Sequence, residues 1–170
     1  MKKYIIIVLL LVVPVLTGAT GRKQAVSQEK LTSIINEYKA CDGFEVTKIG
    51  KVGTSAIKNL IRLSAKAESS QDVKDALDII KGIKKLAIVE YDNCSEDVRD
   101  RFNHKISKAL ESSELLMEVK DGNDRMSMYG VVNGNSSEVK DFILFSPNEC
   151  TLVCLFGSIP MDAISRIAAR

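Results

Sequence analysis

Four cysteines, Cys41, Cys94, Cys150 and Cys154, are the residues of this 170-residue sequence whose type and spacing most readily support chemistry. An even number of thiols allows disulfides in an oxidising compartment, with three connectivities if all four pair. Cys150 and Cys154 fall four apart on one strand-like run, about 13 Å at ~3.3 Å per residue, which exceeds the ~7 Å Cα separation a bridge tolerates. Cys94 closes one strand-like run and Cys150 opens another, so these two meet if the runs are antiparallel, and Cys94 with Cys150 is the expected pairing. Cys154 shares a parity with Leu152 and Phe156 and reads as a small core residue. The alternatives are that all four thiols are free and buried, or that they serve metal or redox chemistry without a CxxC motif or a histidine nearby in sequence.

The other chemically capable residues have simpler readings. His104, the one histidine, stands two residues after Phe102 on a helical pattern, roughly 200° around from the apolar stripe, and is expected in solvent. Gly50-Lys51-Val52-Gly53-Thr54-Ser55 lies between a strand and a helix pattern. It lacks the GxxxxGK[ST] spacing of a phosphate loop and reads as a turn with a cap. Asp72, Asp75 and Asp78, and Glu96, Asp97 and Asp100, follow first turns and polar helix faces, where acidic side chains complement the dipole. Met117, Met126 and Met128 fall at core parity on strands. No nucleophile, base and orienting group come together in sequence, and no cofactor or metal motif is present.

Composition bounds the answer further. With 45% hydrophobic and 27% charged residues the chain is an ordinary globular sequence. Residues 1–21, MKKYIIIVLLLVVPVLTGATG, have the basic, apolar and small-residue order of a signal peptide. The twelve residues from Ile5 to Leu16 would give roughly 18 Å of helix, short of a ~30 Å hydrocarbon core. Cleavage after Ala19 or Gly21 is expected. The first cysteine, Cys41, is too far downstream for lipid attachment, so no stable membrane anchor remains after cleavage. Removing Lys2 and Lys3 leaves 22 basic and 22 acidic residues, a balance that argues against nucleic acid as a partner. Residues 22–170 are long enough to bury one core as a single domain.

The elements that must position these residues follow from periodicity. Leu31, Ile34, Ile35 and Tyr38 mark a helix with Ser27 as its cap. Phe44 to Ile49 is strand-like, and two further helix patterns run through Ile57, Leu60 and Ile61 and through Val73, Ala76, Leu77 and Ile80, the second closed by Gly82. Ile83 to Tyr91 reads as a strand inside a sheet, and Val98, Phe102, Ile106, Ala109 and Leu110 as the stripe of another helix. From Leu115 the period becomes two. Leu115, Met117 and Val119, then Arg125 to Val132, Val139 to Phe145 and Cys150 to Phe156, with turns at Asp121-Gly122-Asn123-Asp124 and Asn133-Gly134-Asn135, describe a four-strand antiparallel meander. Ile159, Met161, Ile164 and Ile167 read as a terminal helix beginning at Pro160. The expected fold is α+β, a mainly antiparallel sheet with helices on one face in two layers.

The opening helix, DGFEVTKIGK, IKKLAIVEY, KDGNDRMSMYGVV and TLVCLFGSI together resemble a family of exported bacterial proteins catalogued as domain of unknown function 4252. The resemblance implies an exported protein of the cell envelope, in the periplasm or outside the cell, and an association with extracytoplasmic sigma-factor regulation. The four cysteines are no part of that pattern. The reading reached from the sequence is a non-catalytic binding or regulatory module with a protein partner in the envelope. An enzyme or redox protein whose site assembles from distant residues, and a structural subunit that pairs through its sheet, are the two alternatives.

Overall fold

A computed structural model describes residues 27–50, 82–122, 124–132 and 137–161. The signal segment, the helix patterns around Ile57 and Val73, the residues from Lys51 to Ser55 and the Asn133-Gly134-Asn135 turn lie outside the described residues.

Helix α1 spans Gln28–Tyr38 and buries Leu31, Ile35 and Tyr38. The Ser27 hydroxyl accepts a hydrogen bond from the Lys30 N–H at 3.3 Å, which satisfies one of the donors a helix start leaves open. Helix α2, Glu96–Leu110, buries Phe102, Ile106, Ala109 and Leu110 and begins with Glu96 and Asp97 at the positive end of its dipole. The stripes on both helices are those the sequence periodicity predicts.

Six strands, β1 (Glu45–Ile49), β2 (Ile83–Glu90), β3 (Leu115–Asp121), β4 (Asp124–Val132), β5 (Glu138–Ser146) and β6 (Thr151–Pro160), form one antiparallel sheet in the order β1-β2-β6-β5-β4-β3. The expected meander is strands β3 to β6, and β2 joins it through the pairs Val89↔Leu152 and Ala87↔Cys154. Each of the two helices buries its stripe against Ala87, Val89, Ile143, Phe145, Leu152, Cys154 and Phe156 in one core, so the α+β fold follows.

At the centre of that core is an aromatic group. The Phe102 ring meets Tyr91 at 4.8 Å, Phe44 at 5.0 Å and Tyr38 at 5.2 Å between centroids, each edge-on, the geometry that ring quadrupoles favour. Tyr91 is wholly buried, and its hydroxyl donates to Asn103 Oδ1 at 2.6 Å, so the one polar atom of that ring is satisfied. Lys105 ties the helices together from outside, 2.5 Å from Glu37.

Two expectations are corrected. Ile159 belongs to β6, where it pairs with Val139 and is buried, and Pro160 ends the strand opposite Glu138. Proline is as acceptable at a strand end as at a helix start, and burial decides here. The alternation in β3 is broken by a register shift between Leu115 and Met117, so Leu115 pairs with Tyr129 while Met117 pairs with Met128. Adjacent strand residues point to opposite faces, so the shift places Leu115 on the helix side and Met117 on the other. Gly82 lies against β6: a β-carbon there would overlap the Ser158 carbonyl, and only glycine lets the two backbones approach, while the helix pattern it was expected to close lies outside the described residues.

Candidate functional site

The structure separates the residues with the most suggestive chemistry. His104 is exposed on α2, as its helical position predicts. Glu96, Asp97 and Asp100 are exposed on the first turns of the same helix. Met128 is buried, and Met117 and Met126 are half-buried, all three on strands. Cys154 is wholly buried among Leu152, Ile143 and Ala87, and burial pushes its thiol up to about 12. Cys94 and Cys150 are buried at one end of the sheet and Cys41 is half-buried; all four are free thiols. The expected meeting of strand ends occurs, since the Tyr91 N–H donates to the Cys150 carbonyl at 3.0 Å. Among the described residues, no group of three or more His, Cys, Asp or Glu could hold a metal ion.

The site that sequence reasoning missed lies where α2 ends over the β3 and β4 end of the sheet. A cleft of about 330 Å³ is lined by Ser107, Leu110, Glu111, Ser113, Leu115, Arg125, Ser127, Tyr129, Phe145 and Pro147. Its floor is built by register. Ser127 pairs with Phe145 and with Glu118, and Arg125 with Lys120, so these side chains share the helix-side face of the sheet. Nearer the core that face is apolar and covered by α2. Beyond Leu110 it becomes polar.

Electrostatically the floor is a tied set of charges. Glu118 accepts from Arg125 Nε at 2.7 Å and from the Ser127 hydroxyl at 3.4 Å, and lies 3.1 Å from Lys120 Nζ. Hydrogen bonds from Lys120 and Arg125 hold its carboxyl below the usual carboxylate range. Arg125 is thereby fixed in orientation beside the cleft.

The wall opposite carries an unmet polar group. Ser113 is 4% exposed, and among the described residues its Oγ is the buried side-chain oxygen or nitrogen with no hydrogen-bond partner. Its backbone is satisfied, with the N–H donating to the Leu110 carbonyl at 2.9 Å. A buried hydroxyl without a partner costs on the order of 1 to 3 kcal/mol. The cleft thus sets Ser127, Tyr129 and a fixed guanidinium beside the apolar side chains of Leu115 and Phe145, with the Ser113 hydroxyl enclosed in its wall, which suits binding of a partly apolar group with hydrogen-bonding capacity. The only sequence signal for it was the polar parity of β4, Arg125 and Ser127, which alternation alone assigns to solvent.

The profile of the family described as Domain of unknown function (DUF4252) matches residues 38–167. The chain belongs to that family. The match to DUF4252 runs from the end of α1 past the end of β6, so the aromatic core, the whole sheet and the cleft all lie within it. No curated protein and no solved structure matches the chain. Among the described residues of this DUF4252 chain, no helix is long and apolar enough to cross a membrane.

Proposed function

We propose that this chain is an exported, non-catalytic binding module of the bacterial envelope that takes up an extended segment of a partner protein along β3. One partner side chain would seat in the cleft beside Ser113. The observation that carries this reading is the buried, unpartnered Ser113 hydroxyl in a cleft that adjoins an edge strand.

The strand supports it independently. β3 is an edge of the sheet, and the large apolar side chains exposed among the described residues, Leu115 at 42% and Val119 at 39%, both lie on it. Soluble proteins usually blunt such edges, and an extended peptide that adds as a further strand satisfies both the open backbone and the apolar side chains. Export is supported by the order of charges and apolar residues over residues 1–21.

The test is co-purification from envelope extracts with the full chain and two variants. Ser113→Ala removes the unmet hydroxyl and Val119→Asp makes the edge repellent, whereas His104→Ala touches neither. A partner retained by the wild type and by His104→Ala, and lost from the first two variants, is the expected result. Equal retention by all four chains would overturn the reading.

A further inference from the structure

Three cysteines distant in sequence stand at one end of the sheet. Cys41 follows α1, Cys94 lies in the turn after β2, and Cys150 ends the turn before β6. Backbone contacts lock the three segments together. The Cys94 N–H donates to the Tyr91 carbonyl at 3.2 Å, and the Tyr91 N–H donates to the Cys150 carbonyl at 3.0 Å. The Phe44 N–H donates to the Cys41 carbonyl at 3.2 Å. Gly43, at φ +76°, lies so close to the Asn93 carbonyl that a β-carbon would overlap it, and that same β-carbon would stand 2.8 Å from the Cys94 nitrogen. The loop carrying Cys41 is therefore pressed directly on the turn carrying Cys94.

Cys150 is held in an unusual way. Its φ is 50°, a left-handed conformation that side chains bearing a β-carbon rarely adopt. Glycine would fit that turn position without strain, and such strain persists where its surroundings over-determine it, often at functional positions. The Arg99 guanidinium faces the Cys150 thiol and favours its ionised form. Burial still outweighs it and pushes the Cys150 thiol up, as burial does for Cys94, with the thiols of Cys41 and Cys150 adding to the rise. Asp42 and Asp92 are the acidic groups facing the cluster.

We propose that Cys41, Cys94 and Cys150 form a thiol relay that closes a Cys94–Cys150 disulfide by exchange with an external disulfide oxidant. Cys41, the half-buried member, is the entry point. Its thiolate attacks one sulfur of the oxidant, forming a mixed disulfide and releasing one thiolate. Cys94 then attacks the Cys41 sulfur and expels the second thiolate. Cys150, its developing thiolate facing Arg99, attacks the Cys94 sulfur and returns Cys41 as a thiol. Two electrons pass to the oxidant, which becomes two thiols by taking up the protons that Cys94 and Cys150 lose. Cys154, enclosed in the core on β6, takes no part.

The experiment uses the full chain, purified reduced and folded, with oxidised glutathione as the oxidant. Thiols are counted by mass after maleimide labelling in denaturant, and bridged peptides are mapped. The expected result is loss of two of the four thiols, with a Cys94–Cys150 peptide and with Cys41 and Cys154 labelled. Cys41→Ser, in a half-buried loop, should reach the same bridge at least about tenfold more slowly, because the buried pair then lacks its entry thiol. Cys150→Ala should stop the relay at a Cys41–Cys94 bridge. Four labelled thiols after oxidation of the folded chain, a bridge that includes Cys154, or an unchanged rate in Cys41→Ser would each overturn the proposal.

Discussion

The Asp141 carboxylate accepts a hydrogen bond of 3.1 Å from the backbone N–H of Gly157, across the point where β5 and β6 fall out of register. Asp141 has φ 51° and Gly157 φ 137°. The irregularity leaves a strand N–H without its ladder partner, and the aspartate supplies one while tolerating the left-handed region better than most side chains.

Asp141→Ala should therefore destabilise by about 1 to 3 kcal/mol, the cost of an unmet part-buried N–H together with a worse fit to positive φ. Asp141→Asn, which keeps both the acceptor and the tolerance, should cost less than half as much. Urea unfolding of the two variants checks this, and equal losses would show that the carboxylate does not serve the bulge.

Tyr91 joins the aromatic core to α2 through its hydroxyl on Asn103. Tyr91→Phe keeps the ring contacts and leaves Asn103 Oδ1 without its donor, for an expected loss of about 1 kcal/mol. Phe102→Ala removes the ring that touches Tyr38, Phe44 and Tyr91 and should cost about 3 to 5 kcal/mol. Thermal or urea denaturation separates the two magnitudes.

Much of this was legible in sequence. The stripes of α1 and α2 are local, each set by residues three and four apart, and the meander follows from short turns between alternating runs. What sequence does not carry is how runs line up across space. A one-residue shift at Leu115 moves it from the Met117 face to the cleft, and nothing in LLMEVKD marks it. Ile159 is equally apolar in a helix or a strand, and only its pairing with Val139 decides. The cleft was hidden for the same reason: Ser113, Arg125 and Ser127 are ordinary polar residues until the register places them around one space.

Alkaline pH should unfold the reduced protein early. Burial raises the thiols of Cys94, Cys150 and Cys154 above the ordinary 9.0, and the Tyr91 phenol above its ordinary 10.0. Above pH 9.0 the unfolded chain releases protons that the folded chain retains, so it binds fewer protons and stability falls as pH rises. The fall should begin near pH 9.0 and continue toward about 12, where Cys154 ionises in the fold. Urea midpoints measured in reductant from neutral pH upward should be flat and then decline. Tyr91→Phe should flatten the upper part of that decline.

Ser113→Ala should leave stability unchanged or raise it by up to about 1 kcal/mol, since it replaces an unmet buried hydroxyl with a methyl group. A clear loss of thermal stability would mean that the hydroxyl already has a partner within the fold and is not held open for a ligand.

Photo-cross-linking in the native envelope tests the binding reading most directly. A benzophenone side chain placed at Leu115 or at Val119 lies on the exposed edge of β3, and one placed at His104 lies on exposed α2, away from it. Discrete adducts of one mass from both β3 positions, absent from the His104 position and lost when Ser113→Ala is added, are the expected result. Adducts of equal yield from His104, or none from either β3 position, would contradict the assignment of this edge and its cleft as the binding surface.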